Sequence, residues 1–269
     1  MPEMQQPSFY RSQLDVQLWW MTAILIALNV GLYLWQITSG VDSANPSMID
    51  AIAWGADYTP LTFLEEPQRL FTSIFFHFGF IHLALNMWGL YIFGSIAEQL
   101  FGRFYYLNLY VICGLSGSLL SSWFSIQDSL MLMQHPAANY LPVVHAGASG
   151  AVMGIGGALT LLSFFPPLPH QRFVLLKRTL LMVLALNLAI GFMMPNIDNA
   201  AHWGGMIMGV LMAAVWILFQ HQQYPTAAKI CGCILGWSCI VVSYFYCQHL
   251  VLTVTPLWQQ ILQQLHLMN

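Results

Sequence analysis

Long apolar runs with almost no charge in them constrain this chain more than any other feature. Only 6% of its 269 residues are charged and 58% are hydrophobic, where a soluble domain carries roughly a quarter charged. So few charges cannot solvate a water-facing surface, and a backbone placed in lipid has to satisfy its polar groups internally. Seven runs, approximately 17–37, 77–97, 104–124, 146–165, 174–194, 201–220 and 229–252, are long enough for a crossing of about 20 helical residues. The expected class is an all-α polytopic membrane protein. No internal repeat or low-complexity linker divides it, so one membrane domain is the simplest count.

The remaining composition narrows the function classes. There is no basic block and the net charge is only -3, so no nucleic-acid partner is expected. The cysteines Cys113, Cys231, Cys233, Cys239 and Cys247 all fall inside apolar runs and read as small packing residues, not as metal ligands or disulfide partners. The first apolar run, 18–35, is too long for a signal-peptide core and has no small-residue cleavage site after it.

The basic residues orient the spans. With a cytoplasmic N-terminus, Arg11, Arg103, Arg172, Lys177, Arg178 and Lys229 lie inside and only Arg69 lies outside. The C-terminus then falls outside. Spans two, four and six run inward, which gathers His77, His82 and Asn86, then Ser149, then His202 at the outer side. The loop 38–76 holds apolar stretches too short to cross, 49–54 and 70–76, expected to lie in the outer interface as short amphipathic helices. Pro142 precedes span four, and Pro166, Pro167 and Pro169 stop it on the inside.

Three constellations could carry chemistry. In the stretch 145–157, Ser149 sits between Gly147 and Gly150, where it can be a cap, packing filler or a nucleophile. Gly150, Gly154 and Gly157 share one helical face, and a helix N-terminus offers free N–H groups to an oxyanion. In span six, Ala201, Gly205, Gly209 and Ala213 form a small-residue face able to press against that glycine face. His202 lies beside it, and an ionisable residue in a membrane segment is a functional candidate by default. Ser149 and His202 together supply a weak nucleophile and a general base. Asp198, four residues before His202, is assigned no triad role. In span two, His82 and Asn86 share a face and His77 lies a turn and a half earlier. No acidic or cysteine ligand completes a zinc site there, so donors facing an oxyanion fit better than a metal. No cofactor is expected.

These motifs, Gly147-Ala148-Ser149-Gly150, His77-x4-His82-x3-Asn86 and Ala201-His202-x2-Gly205-x3-Gly209, resemble the signatures of rhomboid intramembrane serine proteases over roughly 65–220. The resemblance implies a six-helix core at 17–220, preceded by a short cytoplasmic tail at 1–16. Residues 221–269 would supply a linker, a seventh transmembrane helix and a short outer tail. It implies cleavage of transmembrane protein substrates near the outer face. The lack of a transit segment points to a bacterial inner membrane. Ser149 would be the nucleophile and His202 the base of a dyad, with His82, Asn86 and the Ser149 N–H as the oxyanion hole. His77, Gly147, Gly150, Asn199 and Gly205 would support that site. The alternative within the same fold is a catalytically silent protein that binds and sorts transmembrane helices. Such relatives typically lack the serine or the histidine. A transporter would want charges near the bilayer midplane, and the spans contain essentially none. Three positions depart from the family pattern. Met153 stands where an aromatic ring usually supports the histidine, Gln68-Arg69 replaces a Trp-Arg pair, and His145 precedes the serine by four residues and reads as a polar loop residue at the cavity mouth, with a second base as the alternative.

Overall fold

The structure, a computed structural model, describes residues 18–165, 175–193, 198–221 and 225–266. The tail 1–16 with Arg11, the stop prolines Pro166, Pro167 and Pro169, and Arg172 lie outside the described residues. The first helix, α1 (Trp20–Thr38), leads into a folded loop of α2 (Met48–Ala53), strand β1 (Asp57–Tyr58), α3 (Thr59–Leu64), α4 (Arg69–Thr72) and a 3-10 turn, Ser73–Phe75. Local chemistry builds this loop. Ser47 and Asp50 make a reciprocal capping box on α2. Arg69, buried, donates to the carbonyls of Ile52 and Ala56 at 2.6 and 3.0 Å and pairs with Glu66 at 2.7 Å. The expected short helices are therefore present, and the arginine of the altered Gln68-Arg69 pair ties them together.

The second span runs as α5 (Phe80–Gly89), a π turn at Leu90–Gly94, and α6 (Ser95–Phe101). Gly102, at φ +79°, breaks it from α7 (Arg103–Gln134). A short β2 (Val144–His145) pairs antiparallel with β1, Asp57 opposite His145. Then follow α8 (Ser149–Leu162), α9 (Lys177–Met193), α10 (Asn199–His221) and α11 (Pro225–His266).

Among the described residues five helices, Trp20–Thr38, Phe80–Phe101, Arg103–Gln134, Asn199–Phe219 and Thr226–Leu265, are long and apolar enough to cross a membrane. The chain is an all-α, multi-pass integral membrane protein. The runs expected at 146–165 and 174–194 form shorter helices, α8 of 14 and α9 of 17 residues. At 1.5 Å per residue α8 covers about 21 Å, less than the ~30 Å hydrocarbon core. It begins late because pairing with β1 holds 144–145 extended. Two other runs extend further than expected. α7 continues to Gln134 with Ser121, Ser122, Ser125 and Ser129 buried along its polar end. α11 stays helical to His266, so most of the expected outer tail is helix.

Of the five crossing helices α7 is the most buried and α11 the least. Tyr105, Tyr106, Leu109, Tyr110 and Ile112 of α7 are fully enclosed in the main core. α10 packs between α7 and α8, and α11 lies against α7 and α10. There Trp258 Nε1 donates to Ser129 Oγ at 2.9 Å. Phe80, Ile81, Trp88, Phe104 and Phe192 stand exposed, as a lipid-facing belt requires. All five cysteines are free.

Candidate active site

The site is built where α8 crosses α10. A Cβ at Gly205 would be driven into the Gly150 carbonyl, and one at Gly209 into that of Gly154. In return, a Cβ at Gly150 would stand 3.2 Å from the Ala201 carbonyl and one at Gly157 2.9 Å from that of Met206. The two small-residue faces thus interlock backbone to backbone. The opposite side of α10 presses on α7. A Cβ at Gly204 would meet the Ser116 carbonyl at 2.5 Å, and Ser116 Oγ donates to the Gly204 carbonyl at 3.0 Å. The contribution of Ser116 and Gly117 escaped the sequence reading. The adjacent pair Gly204-Gly205, small on two faces of one helix, was the signal.

This crossing brings the N-terminal ends of α8 and α10 to one level. Ser149 opens α8, so its N–H belongs to the first turn, which has no intrahelical acceptor. The hydroxyl is half-buried and makes no hydrogen bond among the described residues. The loop before it is pinned three times. His145 lies in the ladder with Asp57, Gly147 N–H donates to the Ser73 carbonyl at 2.9 Å, and Ala148 N–H donates to His77 Nε2 at 3.4 Å. Gly147 needs its glycine, because φ is +126° and a Cβ would stand 2.8 Å from the His82 ring.

His82 therefore abuts the serine loop. Its Nδ1 accepts from Phe78 N–H at 3.2 Å, which orients the ring, and His77 packs edge-on at 5.3 Å between centroids. Asn86 is buried one turn along. Its Nδ2 donates one hydrogen to the His82 carbonyl at 2.9 Å and keeps a second.

His202 lies in the first turn of α10, buried, with Nδ1 lacking a hydrogen-bond partner among the described residues. Among the described residues no carboxylate hydrogen-bonds that nitrogen. Asp198 stands directly before α10 and caps it, accepting from Ala201 N–H at 3.0 Å, while its other oxygen accepts from Ser121 and pairs with His145 Nδ1 at 3.0 Å. His145 is thus a strand residue in an ion pair, which the sequence reading missed by treating it as a loop residue. Asn199 points elsewhere too, its amide lying against Gly191 of α9. Met153 is buried on α8. No cluster of potential metal ligands occurs among the described residues.

Charges on the loops divide by site. Burial works to lower the His145 pKa, but the Asp198 carboxylate, with Asp57 and Asp128, outweighs it and the net shift is upward. Burial likewise works to raise Asp198, yet His145, Ser121 and the Ala201 N–H hold it down at about 2. Asp57, fully enclosed and accepting from Thr62 at 2.6 Å, is pushed up by burial. At this end His145 and Asp198 shift in the directions that favour an ion pair.

Comparison with known proteins identifies the family. A sequence model of the rhomboid domain matches residues 64–221. The chain is 29% identical to rhomboid protease AarA of Providencia stuartii over 84% of its own length and 82% of that protein's. It is 33% identical to rhomboid protease GluP of Bacillus subtilis over 72% of its length, which spans only 34% of that longer protein. It is 37% identical to RHOMBOID-like protein 2 of Arabidopsis thaliana over 61% of its length and 46% of that protein's. With the domain match extending over more than half of the chain, the protein belongs to the rhomboid family.

Proposed function

We propose that this protein is an intramembrane serine endopeptidase that cleaves transmembrane proteins near the outer face of the membrane, with 17–220 as its protease core. The observation that carries the reading is the interlocked crossing of α8 and α10, which sets Ser149 and His202 at the same end of two helices packed backbone to backbone. The likeness to two rhomboid proteases supports it.

In this mechanism His202 takes the proton of Ser149 as the hydroxyl attacks the scissile carbonyl. Charge develops on the carbonyl oxygen, where the Ser149 N–H, the second Asn86 amide hydrogen and His82 stabilise it. His202 then protonates the leaving amine, and water releases the acyl group by the same steps in reverse order. Among the described residues Nδ1 of His202 has no hydrogen-bond partner, which supports reading the pair as a dyad. A helical substrate hydrogen-bonds its own backbone, so the cut falls where small or helix-breaking residues let it unwind. The basic-residue count supports a cytoplasmic N-terminus with the site on the outer side, and the membrane proposed is a bacterial inner membrane.

Cleavage of a reporter transmembrane substrate by purified protein in liposomes tests the reading. Ser149→Ala and His202→Ala should each remove activity to background, because nucleophile and base act as a unit. Cleavage by Ser149→Ala at the wild-type rate would refute the mechanism.

A further inference from the structure

Behind the proposed dyad lies a second His-containing pair that the mechanism does not use. His145 ends β2, four residues before Ser149, and Asp198 caps α10, four residues before His202. Their side chains meet at 3.0 Å. We propose that His145 and Asp198 form a positioning pair that locks the Ser149 loop to the start of the His202 helix, so that its charge state governs the alkaline side of the activity. The inference rests on the reading of Ser149 and His202 as nucleophile and base.

The geometry is selective. The small-residue crossing fixes α8 against α10 along their length, but the loop 146–148 hangs from its own contacts. Of these, among the described residues, only the His145–Asp198 pair joins it to the start of α10. Asp198 is held by more than this pair, through Ser121 on α7 and the Ala201 N–H. The tie therefore joins the anchored start of α10 to a loop whose other contacts lead to β1, Ser73 and His77. A displacement of the loop moves Ser149 relative to His202, and errors of about 1 Å in such pairs cost on the order of a hundredfold in rate.

The groups facing His145 are Asp57 across the ladder, Asp128 on α7 and Asp198 at the start of α10, all acids. His145 Nε2 has no hydrogen-bond partner among the described residues, so its charge is held by Asp198 and by the field of the other two. Its pKa is raised, so the stabilisation it brings is complete below its ordinary value near 6.5 and fades as pH climbs through the raised value. Asp198 is depressed to about 2, so its share is complete above its ordinary carboxylate range and is lost only toward pH 2. The tie is thus strong in weak acid and loosens on the alkaline side.

The test is kcat and KM against pH, from about 5 to 9, for the full-length protein in liposomes with a reporter transmembrane substrate. Three variants are compared with wild type. Asp198→Asn removes the charge yet keeps an oxygen to cap α10, His145→Gln removes the cation, and His145→Lys keeps a cation that does not titrate near neutrality. The first two should lower kcat about tenfold to a hundredfold, leave KM nearly unchanged, and flatten the alkaline limb. His145→Lys should recover kcat and carry that limb to higher pH. Wild-type kcat and pH profile in Asp198→Asn and His145→Gln would overturn the pair. So would a loss of kcat that merely tracks the fraction of folded protein, without change in the pH profile. A wild-type protein that fails to cleave removes the dyad reading and this inference with it, whereas a cleaving wild type beside unaltered variants removes the pair alone.

Discussion

Ser149 depends on the glycine two positions before it as much as on its own hydroxyl. Gly147 holds φ +126° and lets the loop approach the His82 ring, so Gly147→Ala combines backbone strain of about 1–3 kcal/mol with a clash at the proposed oxyanion donor. That variant should insert and melt cooperatively but lose most of its activity, a split read by pairing a thermal melt with the cleavage rate. Asn86→Ala leaves His82 in place and removes one donor, and should lower kcat by about 10²-fold with little change in KM; an unchanged kcat would take Asn86 out of the oxyanion hole. Ser149, His202, His82 and Asn86 were legible in the sequence because each is polar, short of charge partners and set in an apolar run. His145 and Asp198 were not. Their meeting depends on the register of a two-residue ladder, Asp57 opposite His145, and neither β1 nor β2 is long enough to leave a periodic signal. Asn199 shows the converse, since its place in the motif gave no hint that its amide turns toward Gly191.

At the scale of the element, the crossing of α8 and α10 is what any account of the site must explain. The four-residue spacing of small residues was visible in both spans, and the structure matches the two faces as expected. Helix ends were harder to read, because apolar content continues through loops that are themselves buried. The fourth run looked like a crossing from 146, yet the helix starts at Ser149, and α7 runs on to Gln134 through serines that the hydropathy of the span does not mark. Enlarging the contact should separate the helices. Gly205→Val drives a side chain into the Gly150 backbone and should lower the melting temperature by many degrees and abolish cleavage. Ile207→Val, on an exposed position two residues along α10, should leave both within a few tenths of wild type. Equal effects of the two would show that the interlocked face is not what positions the helices.

Across the whole molecule the two ends differ in chemistry. One end gathers cations: Arg103 lies 4.8 Å from the centre of the Trp20 ring, Lys177 5.7 Å from that of Phe164 at the far end of α8 from Ser149, and Lys229 beside Gly102. The other end holds Ser149, His82, His202, the buried acid Asp57 and the half-buried Asp198. The basic-residue asymmetry was readable because it is a property of loops in order, needing no packing to detect. It predicts that alkaline phosphatase fused after Asn269 is active and that green fluorescent protein fused there is dark; the reverse would invert the orientation and put the site on the cytoplasmic side. The proposed activity depends on one nucleophile, so the most direct measurement is mass spectrometry of the detergent-solubilised protein after reaction with a fluorophosphonate. The prediction is a single adduct on Ser149 that is absent from His202→Ala. An adduct on another residue, or labelling of His202→Ala at the wild-type rate, would contradict it.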